Sequence, residues 1–181
     1  DRFFIPGGKD DDAPFRSTSV VSLPPRRDQL ELIVVSNFVE VYLAKEDHDG
    51  PIGINYLEKI QLPILPSLLG AMLARVDYVL MGAGIPRHSP GVLDQLASSQ
   101  AVEIPISVLS NGREDHEIAR LDPTELMDGH LTWLERPRFL PIVASATLAT
   151  MLARKANGRV DGFIVEGPTA GGHNAPPRGA V

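Results

Sequence analysis

The segment Gly167-Pro168-Thr169-Ala170-Gly171-Gly172-His173-Asn174-Ala175-Pro176-Pro177-Arg178-Gly179 holds the residue types best suited to chemistry. It follows Val160 to Val165, an apolar run of the kind that forms a strand buried on both faces. In α/β proteins, ligands bind at the carboxyl ends of such strands. Gly171 and Gly172 carry no Cβ, so backbone there can lie close against a flat or anionic ligand. His173 is the one side-chain type whose unperturbed titration falls near neutral pH, which suits it to act as a general base. A glycine-rich turn with an incidental histidine is the competing reading. Glu166, at the strand end, can orient a ligand or His173, or serve only as a salt-bridge partner.

Two more strand ends have the same layout. Gly82-Ala83-Gly84-Ile85-Pro86 closes the apolar run Val76 to Met81. It lacks the third glycine and the helix spacing of a dinucleotide fingerprint, so alone it reads as a tight turn. Asn55 closes Gly53-Ile54-Asn55, where its amide can bond a ligand or the local turn. The other histidines, His48, His88, His116 and His130, fall in polar turns and loops, and no pair has helical zinc spacing. No metal site is expected. Ser110-Asn111-Gly112 does not match a nucleophile elbow. The sequence contains no cysteine, which excludes thiol nucleophiles, zinc thiolates and disulfides and is compatible with a reducing, cytoplasmic setting.

The elements that must position these residues follow from periodicity. Asp28 and Glu31 resemble a capping box that opens a helix carrying Leu32, Val35, Phe38, Val39 and Tyr42 at helical spacing and ending by Gly50-Pro51. Arg26-Arg27 before it reads as a solvated loop. A strand follows at 52–56. Pro66 opens a second helix with Leu68, Leu69, Met72 and Leu73 on its buried face. The run 76–81 is a second strand. Further on, 141–144 reads as strand, 147–156 as helix stopped by Asn157-Gly158, and 160–165 as the fourth strand. Between them, 87–140 reads as an insertion in one loop, with a short helix at 90–96 and strands at 102–109 and 131–134; Asn111-Gly112 is a turn signal. The strand–helix–strand alternation predicts an α/β fold with parallel strands and helical crossovers. Periodicity leaves both a doubly wound sheet and a (β/α)8 barrel open.

A chain of 181 residues with 43% hydrophobic residues can bury one sizeable core, read as a single domain over 1–181. The net charge of −6 and the absence of a basic–aromatic stripe argue against nucleic acid as a partner. No apolar run is long enough to span a membrane. A small-molecule substrate is the expected partner, and a homo-oligomer is compatible with the sequence.

The stretch VVSNFVEVYLAKEDHDGPIGINYLEKIQLPILPSLLGAMLARVDYVLMGAGIP resembles the nitronate monooxygenase family, also known as 2-nitropropane dioxygenases, and so does PIVASATLATMLARKANGRVDGFIVEGPTAGGHNAPPRG. Together they cover about half of the chain, in the family's order. The resemblance implies a (β/α)8 TIM barrel with non-covalent FMN and a monooxygenase that oxidises alkyl nitronates with O2. His173 matches the family's catalytic histidine, Asn55 the asparagine that contacts FMN, and Gly171 and Gly172 the glycines beside the flavin. Some members carry a lysine where Ser145 stands here. On this map the strands ending near Asn55, Met81, Ser145 and Val165 are the third to sixth of eight. The chain is therefore expected to be an incomplete barrel that binds FMN weakly in isolation. Two alternatives accompany this reading: an FMN-dependent NAD(P)H quinone or enoyl reductase on the same barrel, and a non-catalytic binding or tailoring subunit.

Overall fold

In a computed structural model, residues 7–14, 20–110, 113–131 and 133–171 can be described. The elements in chain order are α1 (Arg27–Ala44), β1 (Gly53–Leu57), α2 (Ile64–Leu73), β2 (Tyr78–Gly82), α3 (Ser89–Ala97), β3 (Val102–Ser110), β4 (Arg113–Leu121), α4 (Pro123–Leu126), β5 (Arg138–Val143), α5 (Ala146–Lys155) and β6 (Ile164–Val165). The chain is mixed α/β. Strands β1, β2, β5 and β6 pair in parallel, and in that spatial order. Strands β3 and β4 form a separate antiparallel pair. No helix among the described residues is long and apolar enough to cross a membrane.

Alternation along the strands sets the two faces of the parallel sheet. Val79, Met81, Phe139, Pro141 and Val143 point one way and are buried. Val79, Met81 and Phe139 share one core with Leu68, Leu69 and Met72 of α2 and Val92, Leu93 and Leu96 of α3. The Asn157 side chain accepts from Gly91 N (3.0 Å), which sets the end of α5 beside the start of α3. The crossover helices therefore share one side of the sheet. On the other face the register aligns Asn55 with Leu80 and Leu80 with Leu140. There Asn55 is exposed, and Leu80, Leu140 and Ile142 are only half-buried.

Helix α2 is the centre of the packing, with every residue from Ile64 to Met72 buried. It lies between the sheet, α1 and the β3–β4 pair, whose inward residues Ile104, Ile106, Ala119 and Leu121 join the same core. Gly70 is what lets α1 approach. A Cβ there would lie 3.0 Å from Asn37 Cβ and closer still to the Val34 carbonyl oxygen, and helix backbone cannot yield as a side chain can. Gly70→Ala is expected to cost about 1–3 kcal/mol through forced separation of the helices. A urea midpoint unchanged from wild type would show that α1 does not pack so closely.

Several boundaries differ from the sequence reading. The first helix is capped at Arg26, not Asp28, because the Gln29 side chain accepts from Arg26 N (3.0 Å). Asp28 instead pairs with Arg26 at 2.8 Å within the first turn. Arg26 and Arg27 are thus the cap and first residue of α1 rather than loop, with Arg27 held by Glu31 and Asp128 at 2.8 Å each. Helix α2 begins at Ile64, which puts Pro66 inside its first turn, where an N–H is still not needed. The second strand of this region is Arg113–Leu121 rather than 131–134, and it pairs with β3. Leu131 and Leu134 pack on the core from irregular backbone. The last strand is only Ile164–Val165, shorter than the run 160–165, because only Ile142 and Val143 pair with it. The Asn111-Gly112 turn lies outside the described residues.

Candidate functional site

Parallel strands in one order bring their carboxyl ends to a common edge, where four chain segments meet. Glu58 leaves β1, and its backbone N–H donates to Gly82 O at 2.9 Å. Gly82 to Ile85 leave β2 through Ala83, whose φ of 54° is a left-handed conformation unusual for a residue with a Cβ. Ser145 follows β5. Glu166 follows β6, with its N–H on Val143 O at 2.9 Å, so the ladder continues one residue past the strand.

Asn55 does not close its strand, because β1 runs on to Leu57. Its amide stands exposed, level with Leu80, on the face that carries no helix among the described residues. Leu80, Leu140 and Ile142 are its apolar neighbours there, with Tyr78 and Arg138 one pleat back on the same face, and an amide so placed can fix the orientation of a flat ligand. Glu166 is half-buried at the edge, and Gly171 is exposed beyond it. Gly172 and His173 lie outside the described residues. The structure therefore brings Asn55 and Glu166 to one sheet, at different levels. Ser145 acts locally, as the cap of α5, where its Oγ accepts from Leu148 N (3.2 Å).

The other histidines differ in setting. His48 Nε2 bonds Ala44 O at 2.7 Å and its Nδ1 accepts from Gly50 N at 2.9 Å, which closes the turn after α1. His88, just before α3, is half-buried; burial, then the charge of Arg87, pushes its pKa below the ordinary value. His116 on β4 and His130 are exposed. Among the described residues no group of three or more His, Asp or Glu could hold a metal ion.

One residue of the edge was not singled out from sequence. Glu58 is half-buried; burial pushes its carboxyl up, and bonds from the Gln61 side chain and the Ile85 N–H oppose that rise. Its only sequence signal is a charged residue one step past an apolar strand, which ordinarily means solvent.

A sizeable cavity lies elsewhere. A space of about 630 Å³ opens between the end of α1 and the α2–β2 turn, lined by Tyr42, Lys45, Arg75, Asp77 and Glu135 among others. It faces the amino end of β2, and Lys45 is already paired with Asp77 at 2.8 Å. Ligands of parallel sheets bind at the opposite edge, which makes the carboxyl edge the better site.

Comparison with known protein families, with curated proteins and with solved structures gives no match to this chain.

Proposed function

We propose that this chain is the flavin-holding part of a (β/α)8 barrel oxidoreductase, of the type that oxidises alkyl nitronates with O2. The observation that carries the reading is the one-sided sheet. Four parallel strands lie in sequence order, and the crossover helices share one face. A doubly wound sheet places helices on both faces, whereas a barrel keeps them all outside and turns the other face inward. In this reading, Asn55, Leu80, Leu140 and Ile142 look into the barrel.

The donor set suits a flavin. Asn55 offers an exposed amide among apolar neighbours, and Gly53, one pleat away on the same face, adds no side chain beside Leu80. FMN, when bound, supplies the redox chemistry, taking electrons from the substrate and passing them to O2. Asn55 orients the ring by hydrogen bonding. The half-buried leucines exclude water from one side of it. His173 removes the carbon proton of a neutral nitroalkane, or holds the anion once formed. Gly171 and Gly172 let the His173 loop approach the ring without a Cβ in the way.

The test is an absorbance spectrum of the intact protein, recorded before and after adding an alkyl nitronate without oxygen. A flavin spectrum bleached by nitronate is expected. A flavin that ignores nitronate but is bleached by NAD(P)H would replace this reading with a quinone or enoyl reductase. A protein that takes up no flavin would leave only a binding role.

A further inference from the structure

The carboxyl edge contains a carboxyl group that the proposed chemistry does not use. Glu58 lies between β1 and the Gly82–Pro86 loop. Gly84 has no side chain where that carboxylate sits: a Cβ there would fall 2.8 Å from Glu58 Cβ and closer still to Glu58 Oε2. The Ile85 N–H and the Gln61 side chain lie near enough to the carboxyl group to favour its charged form. Gln61 is fixed in turn, since its Oε1 accepts from Ser107 N of the β3–β4 pair at 3.0 Å. The Gly84 segment thus packs directly against one acid at the edge where ligands bind, and the turn that follows that acid is tied to β3 through Gln61.

A surface glutamate is ordinarily explained by a lysine or arginine beside it. Among the described residues Glu58 has no ion-pair partner: its neighbours are a peptide N–H and an amide. An ionised carboxyl has about four acceptor positions, more than one peptide N–H and one amide can fill. The remaining positions suit neutral O–H donors. A phosphate would be repelled. Acidic residues at strand ends recognise sugar hydroxyls by this chemistry, the acid accepting from one or two adjacent O–H groups.

We propose that Glu58 is a ligand-binding residue that accepts hydrogen bonds from the hydroxyls of the ligand's polyol chain, with the ring lying toward Asn55. This rests on the flavin reading and names the part of the ligand that the β1–β2 edge holds. Gly84 is the matching requirement, because any side chain there displaces the carboxylate.

The test compares FMN with lumiflavin, which has the same ring and no hydroxyl chain. Both are titrated into the intact wild-type protein and into Glu58→Ala and Glu58→Gln, with binding read from flavin fluorescence. The expected result is an FMN affinity about 10- to 100-fold weaker in Glu58→Ala, as for loss of hydrogen bonds to a charged group. Lumiflavin affinity is expected to be unchanged, and Glu58→Gln to lie between. Equal weakening for both ligands would overturn the proposal, since Glu58 would then act only on loop structure. Unchanged FMN affinity would overturn it as well. A wild-type protein that binds neither ligand would instead sink the flavin reading on which it stands, and that outcome is visible without any variant.

Discussion

Replacing His173 with Asn is expected to lower turnover of a neutral nitroalkane by about 10²- to 10⁴-fold, the range contributed by a positioned general base. Asparagine keeps the polarity and approximate size of the side chain but cannot take a proton. The neutral substrate needs its carbon proton removed before electrons can leave, so the loss falls on that step. A preformed nitronate has already lost the proton. Its turnover is expected to fall much less if proton removal is the main role of His173. If His173 chiefly holds the anion, the two substrates lose comparable amounts. Oxygen consumption with each substrate, compared as kcat/KM, separates these cases. Unchanged turnover with both would remove His173 from the mechanism and would leave the glycine-rich turn as plain structure.

The parallel strands were legible because their buried face is almost wholly apolar. Val79, Met81, Phe139 and Val143 need no partner to declare themselves, and periodicity placed all four strands within a few residues. The antiparallel pair was only half legible. β3 alternates visibly through Val102, Ile104 and Ile106, but β4 reads Arg-Glu-Asp-His-Glu-Ile-Ala-Arg-Leu and shows the core only Ala119 and Leu121. A strand held by cross-strand pairing on one side, with solvent on the other, has little hydrophobic signal to detect. The more apolar 131–134 attracted the assignment instead. The helix-free face was written in Gly53-Ile54-Asn55-Tyr56-Leu57, which alternates, yet five residues cannot say which face lacks helices. Of the candidate site, Asn55 and Glu166 were visible as polar residues at the end of apolar runs. Glu58 was not, because its role depends on Gly84, which lies 26 residues away in sequence and close only in space.

Arg136→Met is expected to be the most damaging substitution away from the site, at about 3 kcal/mol of stability. The Arg136 side chain is only 12% exposed. Its guanidinium pairs with Asp94 of α3, donates to Asp161 Oδ2 (2.7 Å), and bonds the carbonyls of Pro137 (2.8 Å) and Arg159 (2.6 Å). Methionine fills similar space and supplies none of these donors. The Asp94 side chain is 41% exposed, so water replaces most of what it loses. The Asp161 side chain is 13% exposed and stays behind as a half-compensated charge. Burial works against that charge, but the Phe139 N–H, then Arg136 and Arg159, outweigh it and hold the carboxyl below its ordinary value. A lowered pKa contributes stability that is present above the unfolded value of 3.8 and is lost as pH falls through the folded value. The difference between Arg136→Met and wild type is therefore expected to be full at neutral pH and to shrink as pH drops below about 4. Urea midpoints at both pH values measure it. A difference that does not change with pH would mean that the loss comes from packing of the arginine stem. The same clamp reaches the site. β6 has only two ladder pairs with β5, so its entry is set largely by Asp161, whose N–H donates to Phe139 O (3.0 Å) and whose carboxylate accepts from Phe139 N (2.8 Å). Loosening Arg136 is thus expected to weaken flavin binding along with stability, through the strand that delivers Glu166 and Gly171 to the edge.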